Sequence, residues 1–199
     1  MKKKTIITIA IIVVVVLAIY LWFKSGFNNM VQKQEAVTAQ WAQVENVYQR
    51  RADLIPNIVE TVKGYAEHEQ STFEAVVEAR AKATSLTIDP SNITPEQMKE
   101  YMEAQDQLSG ALSKLIALRE SYPDLKASEE FTALITELEG SENRIAVERR
   151  GFNEKAKEYN QYIKMFPRNI IAGMFNFEQV EYFKAQEGAD KAPKVDFSK

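Results

Sequence analysis

A chain of 199 residues has room for one domain with appendages, and seven Gly and six Pro among abundant Ala, Glu, Lys and Leu favour helix over sheet. With no cysteine and a single histidine, His68, disulfides, thiolate metal sites and a cysteine nucleophile are excluded. Little material remains for a zinc site or a Ser-His-Asp relay. Four of the 25 basic residues lie in residues 1–24, which hold no acid; the remainder carries 21 basic against 28 acidic, a net of −7, and an acidic body argues against nucleic acid as a partner.

The first element is apolar. Thr5 to Phe23 is 19 residues without a charge. As a helix it covers roughly 28 Å, close to the hydrocarbon thickness of a bilayer. Tyr20 and Trp22 stand at its far end, where amphipathic rings favour the interface. A cleaved signal peptide is the competing reading, but the apolar run is long and Trp22-Phe23-Lys24-Ser25-Gly26-Phe27 lacks two small residues two apart, which favours a retained anchor. Lys2, Lys3 and Lys4 against a lone Lys24 favour a cytoplasmic N-terminus and an extracytoplasmic body. The expected location is the bacterial cytoplasmic (inner) membrane, crossed once, with residues 5–23 in lipid.

The body reads as four helices. In the first, Val37, Trp41, Val44, Tyr48, Arg51, Ile55, Ile58, Val62 and Tyr65 recur at alternating four and three spacings, a bundle seam, with a turn near Gly64–Glu67. The second presents Phe73, Val76 or Val77, Arg80 and Ala83, and Asp89-Pro90-Ser91-Asn92 forms a loop. Thr94 caps the third, with Pro95 at its first position and Gln97 closing a capping box; Tyr101, Leu108, Leu112, Leu115 and Tyr122 are its stripe, and Pro123 stops it. Asp124 or Ser128 opens the fourth, whose seam is Phe131, Ile135, Leu138, Glu142, Ile145, Arg149, Phe152, Ala156, Tyr159, Ile163 and Phe166, ended by Pro167. The expected fold is all-α: a single transmembrane helix followed by an antiparallel up-down-up-down four-helix bundle. Its parts are an anchor at 1–24, the bundle at 25–166, and an aromatic juxtamembrane or capping segment with a disordered tail at 167–199.

Charges on the seams are the candidate site. Setting Tyr65 against Phe131 puts Arg51 level with Ile145, one turn from Glu142 and Arg149, with Arg80 on the neighbouring helix. A lone buried charge is costly, so Arg51 is expected to pair with Glu142, and Arg149 with Glu45 or Glu148. Fixing helix register is the favoured role for this layer; an anion site between the helices is the alternative. Pro56 strips the Ala52 carbonyl of its helical hydrogen bond, so a kink or break is expected there, with Asn57 or water as the replacement donor and Asp53 nearby. His68-Glu69 invites comparison with HExxH, but Thr72 stands where the second imidazole belongs. No phosphate-cradling loop or nucleophile elbow occurs, so no catalytic, cofactor or metal residue is assigned. Ile170, Phe175, Phe177, Tyr182 and Phe183 make the C-terminal segment unusually apolar. It caps the lower end of the bundle, dips into the lipid interface or contacts a protein, and capping is narrowly favoured.

Ordered blocks of the sequence resemble the LemA family. Arg50-Arg51-Ala52-Asp53-Leu54-Ile55-Pro56-Asn57 with Val62-Lys63-Gly64-Tyr65-Ala66 and His68-Glu69 looks like its central signature. Tyr122-Pro123-Asp124-Leu125-Lys126-Ala127, Glu142-Asn143-Arg144-Ile145-Ala146, Tyr159-Asn160 and Phe166-Pro167 are similar to its later motifs, with Phe152-Asn153 where Tyr-Asn is common. The resemblance implies a membrane helix followed by a helical bundle, no established enzymatic activity, and a scaffold or adaptor role among membrane or envelope proteins. A ligand-sensing bundle signalling through a separate membrane partner is the alternative, and self-association stays open.

Overall fold

An apolar run passing directly into a four-three repeat gives the chain no reason to interrupt its first helix. In the computed structural model, which describes residues 3–184, α1 is one continuous helix, Lys3–Lys63. At the standard rise its 61 residues extend roughly 90 Å. No structural break falls at residue 24: the apolar stretch and the first rod of the body are one helix. Nor does Pro56 break it, since the helix runs on for a further turn and more.

Among the described residues five further α-helices follow: α2 (Gln70–Ser85), α3 (Pro95–Ala117), the short α4 (Pro123–Lys126), α5 (Glu129–Lys164) and α6 (Arg168–Met174). No strand occurs among the described residues. The capping chemistry acts where it was expected. Thr94 accepts from the Gln97 amide while Gln97 accepts from the Thr94 amide, with Pro95 opening α3. Ser128, rather than Asp124, caps α5 by accepting from the Phe131 amide. Pro123 starts α4 instead of ending α3, which gives way to a 3₁₀ turn at Leu118–Glu120.

α1 and α5 are antiparallel partners, tied by Lys33–Glu158 at 3.5 Å, Gln40–Glu148 at 2.6 Å and Arg50–Glu137 at 2.9 Å. α2 and α3 form a second antiparallel pair, with Lys82 donating to Gln107 and Gln105 donating to the Ala83 carbonyl. Tyr101 of α3 joins the pairs by packing on Trp41 and Tyr48 of α1. The apolar seam positions are buried or half-buried, with two exceptions at helix ends. Tyr65 lies past the end of α1 and is exposed, and Phe166 lies past the end of α5 and is 81% exposed. Val76, not Val77, is the buried one of that pair.

The core has two parts. The cluster nearer the apolar N-terminal stretch includes Met30, Val37, Trp41, Tyr48, Tyr101, Phe152 and Tyr159. A distal cluster includes Ile55, Ile58, Val62, Phe73, Leu108, Leu112, Phe131 and Leu138. Between them, on α1, α3 and α5, lie the buried polar residues Arg51, Gln105 and Ser141.

After α5 the chain turns through α6 and climbs back along the body. Ile171, Ala172, Val180 and Phe183 are buried, so the segment from 167 to 184 packs onto the body throughout its described length. The tail from Ala185, expected to be disordered, lies outside the described residues.

Candidate functional site

Arg51 is the most deeply buried charge among the described residues, 1% exposed, and its guanidinium is held by three elements. Nη1 donates to Glu142 Oε1 of α5 at 2.7 Å and to Ser109 Oγ of α3 at 2.9 Å. Nη2 donates to Gln105 Oε1, and the Tyr48 ring lies 5.2 Å below the guanidinium carbon. The register thus sets Arg51 level with Glu142 rather than Ile145. Glu142 is 44% exposed, so this is a half-buried pair, with a dry cation and a wet carboxylate. The solvated acid keeps its hydration while neutral side chains satisfy the rest of the arginine, which avoids the full desolvation cost of a closed pair. Burial pushes the Tyr48 phenol up, opposed by the positive charges of Arg149 and Arg51, and burial raises Tyr101 likewise. Beside the layer is a cavity of about 250 Å³ bordered by Glu45, Tyr48, Thr84, Tyr101 and Gln105.

Arg80 and Arg149 do not join this layer; each is partly exposed and has its own task. Arg80 Nε donates to the Ala52 carbonyl at 2.8 Å. That is the carbonyl Pro56 deprives of an amide, so the replacement donor is a guanidinium from α2 rather than Asn57. Asp53, Pro56 and Asn57 are exposed, and Asp53 accepts from Gln49 at 2.7 Å on the outer face of α1. A substitute donor from the next helix lets α1 continue without leaving a buried acceptor unmatched.

Arg149 pairs with neither Glu45 nor Glu148. Its Nη2 donates to the Lys184 carbonyl at 3.0 Å and its guanidinium lies 4.8 Å over the Phe183 ring. Glu148 instead takes the Gln40 amide at 2.6 Å. Arg149 thus closes a strap that spacing arguments missed. Asn160 pairs with both the N–H and the C=O of Val180, at 2.9 and 2.8 Å, and Asn153 does the same for Phe183, at 2.9 Å each way. Seven residues on a helix span about 10.5 Å, and three residues of extended chain span about 10 Å. The two asparagines therefore match a near-extended strap, each offering the donor and acceptor of a missing neighbouring strand. Phe183 then stacks on Trp41, with ring planes 9° apart, and meets Phe152 edge-on. The available signal was the repeat of an aromatic followed by Asn at Phe152-Asn153 and Tyr159-Asn160.

The two ends of the body differ. At the distal end His68 is exposed in the turn, and Glu69 precedes α2 and accepts from the Tyr122 hydroxyl at 3.1 Å, which raises the Tyr122 phenol. Here Glu60, Glu67, Glu74 and Glu78 border an open groove of about 840 Å³ around Phe73 and the exposed Val77. At the other end Phe175 packs on Phe23 and Phe27, and Phe177 on Phe27. Ile170 and Tyr182 are exposed, although Tyr182 receives a hydrogen bond from Asn160 at 2.9 Å.

The family model described as "LemA family" matches residues 40–197, which begins after the apolar N-terminal stretch. Over 181 residues, 82% of this chain, the sequence is 27% identical to magnetosome protein MamQ of Magnetospirillum gryphiswaldense. It is 26% identical over the same length to magnetosome protein MamQ 1 of Paramagnetospirillum magneticum. These alignments span 66% of each relative, just under two thirds of its length. The chain is also 26% identical over 160 residues, 80% of its length and 69% of the relative's, to protein LemA of Metamycoplasma hominis.

Proposed function

The chain belongs to the LemA family, and from that membership we propose a non-enzymatic, single-pass membrane protein whose antiparallel four-helix body serves as an envelope scaffold or adaptor. One observation carries the reading: the apolar stretch long enough to span a bilayer and the first rod of the body are the same helix. A hinge would let the body roam; a continuous α-helix holds it upright. From Lys24 to Lys63 the rod rises about 60 Å above the bilayer. Its distal groove, with four glutamates around Val77, is then presented to a partner well away from lipid. The names of two relatives, magnetosome proteins, support a role at a membrane-bounded structure without specifying a partner for this chain. Lys2, Lys3 and Lys4 favour the cytoplasmic side for the N-terminus, which places the body outside the inner membrane.

Photo-crosslinking in intact cells tests the adaptor role. Residue analogues carrying a benzophenone at Tyr65 or Val77 are expected to give one discrete adduct, and a diffuse smear from both sites would count against it. Digestion of the body in intact spheroplasts is the expected result for the orientation. The sensing alternative has less support, because Arg51, Arg80 and Arg149 each hold a different protein partner rather than converging on one space.

A further inference from the structure

We propose that α6 and its flanking residues form a second membrane contact, a foot that inserts its outer face into the phospholipid interface beside the point where α1 leaves the bilayer. This rests on α1 being the anchor. Beyond the anchor, the exposed large apolar residues among those described are Tyr65, Val77, Val147 and Tyr182, standing apart, and one cluster: Met165, Phe166, Ile170, Met174 and Phe175. Their exposures, 54, 81, 55, 65 and 48%, would be costly in water for five large side chains within eleven residues.

The height of the cluster is fixed independently. Ile171, buried where its α6 neighbours Ile170 and Met174 are exposed, packs on Gly26 so closely that an added Cβ there would lie 3.0 Å from its Cδ1. Phe175 meets Phe23 at 5.9 Å and Phe27 at 4.8 Å. Phe23 is the last residue of the uncharged run, so α6 is level with the bilayer surface. α6 turns Ile171 and Ala172 inward, and the exposed Ile170 and Met174 beside Asn169 have no covering element among the described residues. Continuity with the transmembrane segment makes lipid its occupant. Lys24 and Lys164 flank the foot at headgroup height, where they favour anionic lipid. With two attachments, the body is fixed in rotation about α1 as well as in tilt.

Because the chain has no cysteine, single labels can be placed anywhere. The full-length chain is reconstituted in vesicles of equal phosphatidylethanolamine and phosphatidylglycerol, with a nitroxide on Ile170→Cys, Met174→Cys, Val14→Cys or Val77→Cys. Folding of each variant is checked by circular dichroism, and all four positions are exposed. Collisions with oxygen and with a water-soluble nickel chelate then report depth. The expected result is oxygen-rich, nickel-poor labels at 14, 170 and 174 and a nickel-accessible label at 77. Labels at 170 and 174 matching 77, while 14 reads lipid, would overturn the foot and leave the anchor intact. Labels at 170 and 174 shielded from both reagents would also overturn it, in favour of a protein contact. A nickel-accessible label at 14 would remove the anchor, and the foot with it.

Discussion

Arg51 shows how a buried charge is tolerated when only one member of its pair is dry. Because Glu142 stays 44% exposed, losing the acid should harm the fold more than losing the base. Glu142→Gln leaves a nearly inaccessible guanidinium with neutral acceptors alone and is expected to cost about 2–3 kcal/mol. Arg51→Met with Glu142→Gln, which removes the charge altogether, should recover much of that loss in denaturant unfolding. Equal losses in the single and double variants would show that the pair carries no such role. Arg80 supports a second cycle. Arg80→Met uncovers the Ala52 carbonyl and should cost about 1–2 kcal/mol. In a Pro56→Ala background the restored amide can serve that carbonyl, so the same substitution should cost distinctly less. Additive effects would mean that Arg80 acts by packing alone.

Among the elements, the strap depends most on side chains rather than on its own backbone pairing. Asn160 satisfies both backbone groups of the buried Val180, and Asn153 both of Phe183. Asn160→Ala should cost about 2–4 kcal/mol, since two buried backbone groups lose partners at once. Hydrogen exchange should locate the damage, with amides from 178 to 184 losing protection while α1 and α5 keep theirs. Uniform loss of protection would instead make the strap part of the global core. Asn153→Ala should be milder, because Arg149 still holds the Lys184 carbonyl and Phe183 still stacks on Trp41.

For the whole molecule, the buried tyrosines set an alkaline limit. Burial pushes Tyr159 up to about 12 from 10.0, and raises Tyr48 and Tyr101 in the same direction. A phenol whose folded pKa exceeds its unfolded value holds its proton more tightly in the native state. Its contribution is complete below about pH 10 and is lost as pH rises towards 12. Unfolding free energy, followed by near-ultraviolet dichroism, should therefore fall over that interval. Tyr159→Phe should flatten the decline, and an unchanged slope would mean that Tyr159 does not contribute.

Local chemistry made much of this molecule legible in the sequence. Uncharged length marked the candidate membrane-spanning stretch, four-three periodicity marked the seams, and Thr94, Gln97 and Ser128 marked helix starts, because each acts within a few residues of itself. The buried cation at Arg51 was legible too, since a charge at a seam position demands a partner. What the sequence could not reveal is how distant groups share partners. Arg80 reaching the carbonyl left by Pro56, Arg149 turning to the strap, and Asn153 and Asn160 gripping Val180 and Phe183 all join segments 20 to 35 residues apart in the chain. Such bonds have no periodicity to betray them. Only the packed helices bring donor and acceptor within reach, and so tertiary structure alone decided which charges meet and which faces remain open.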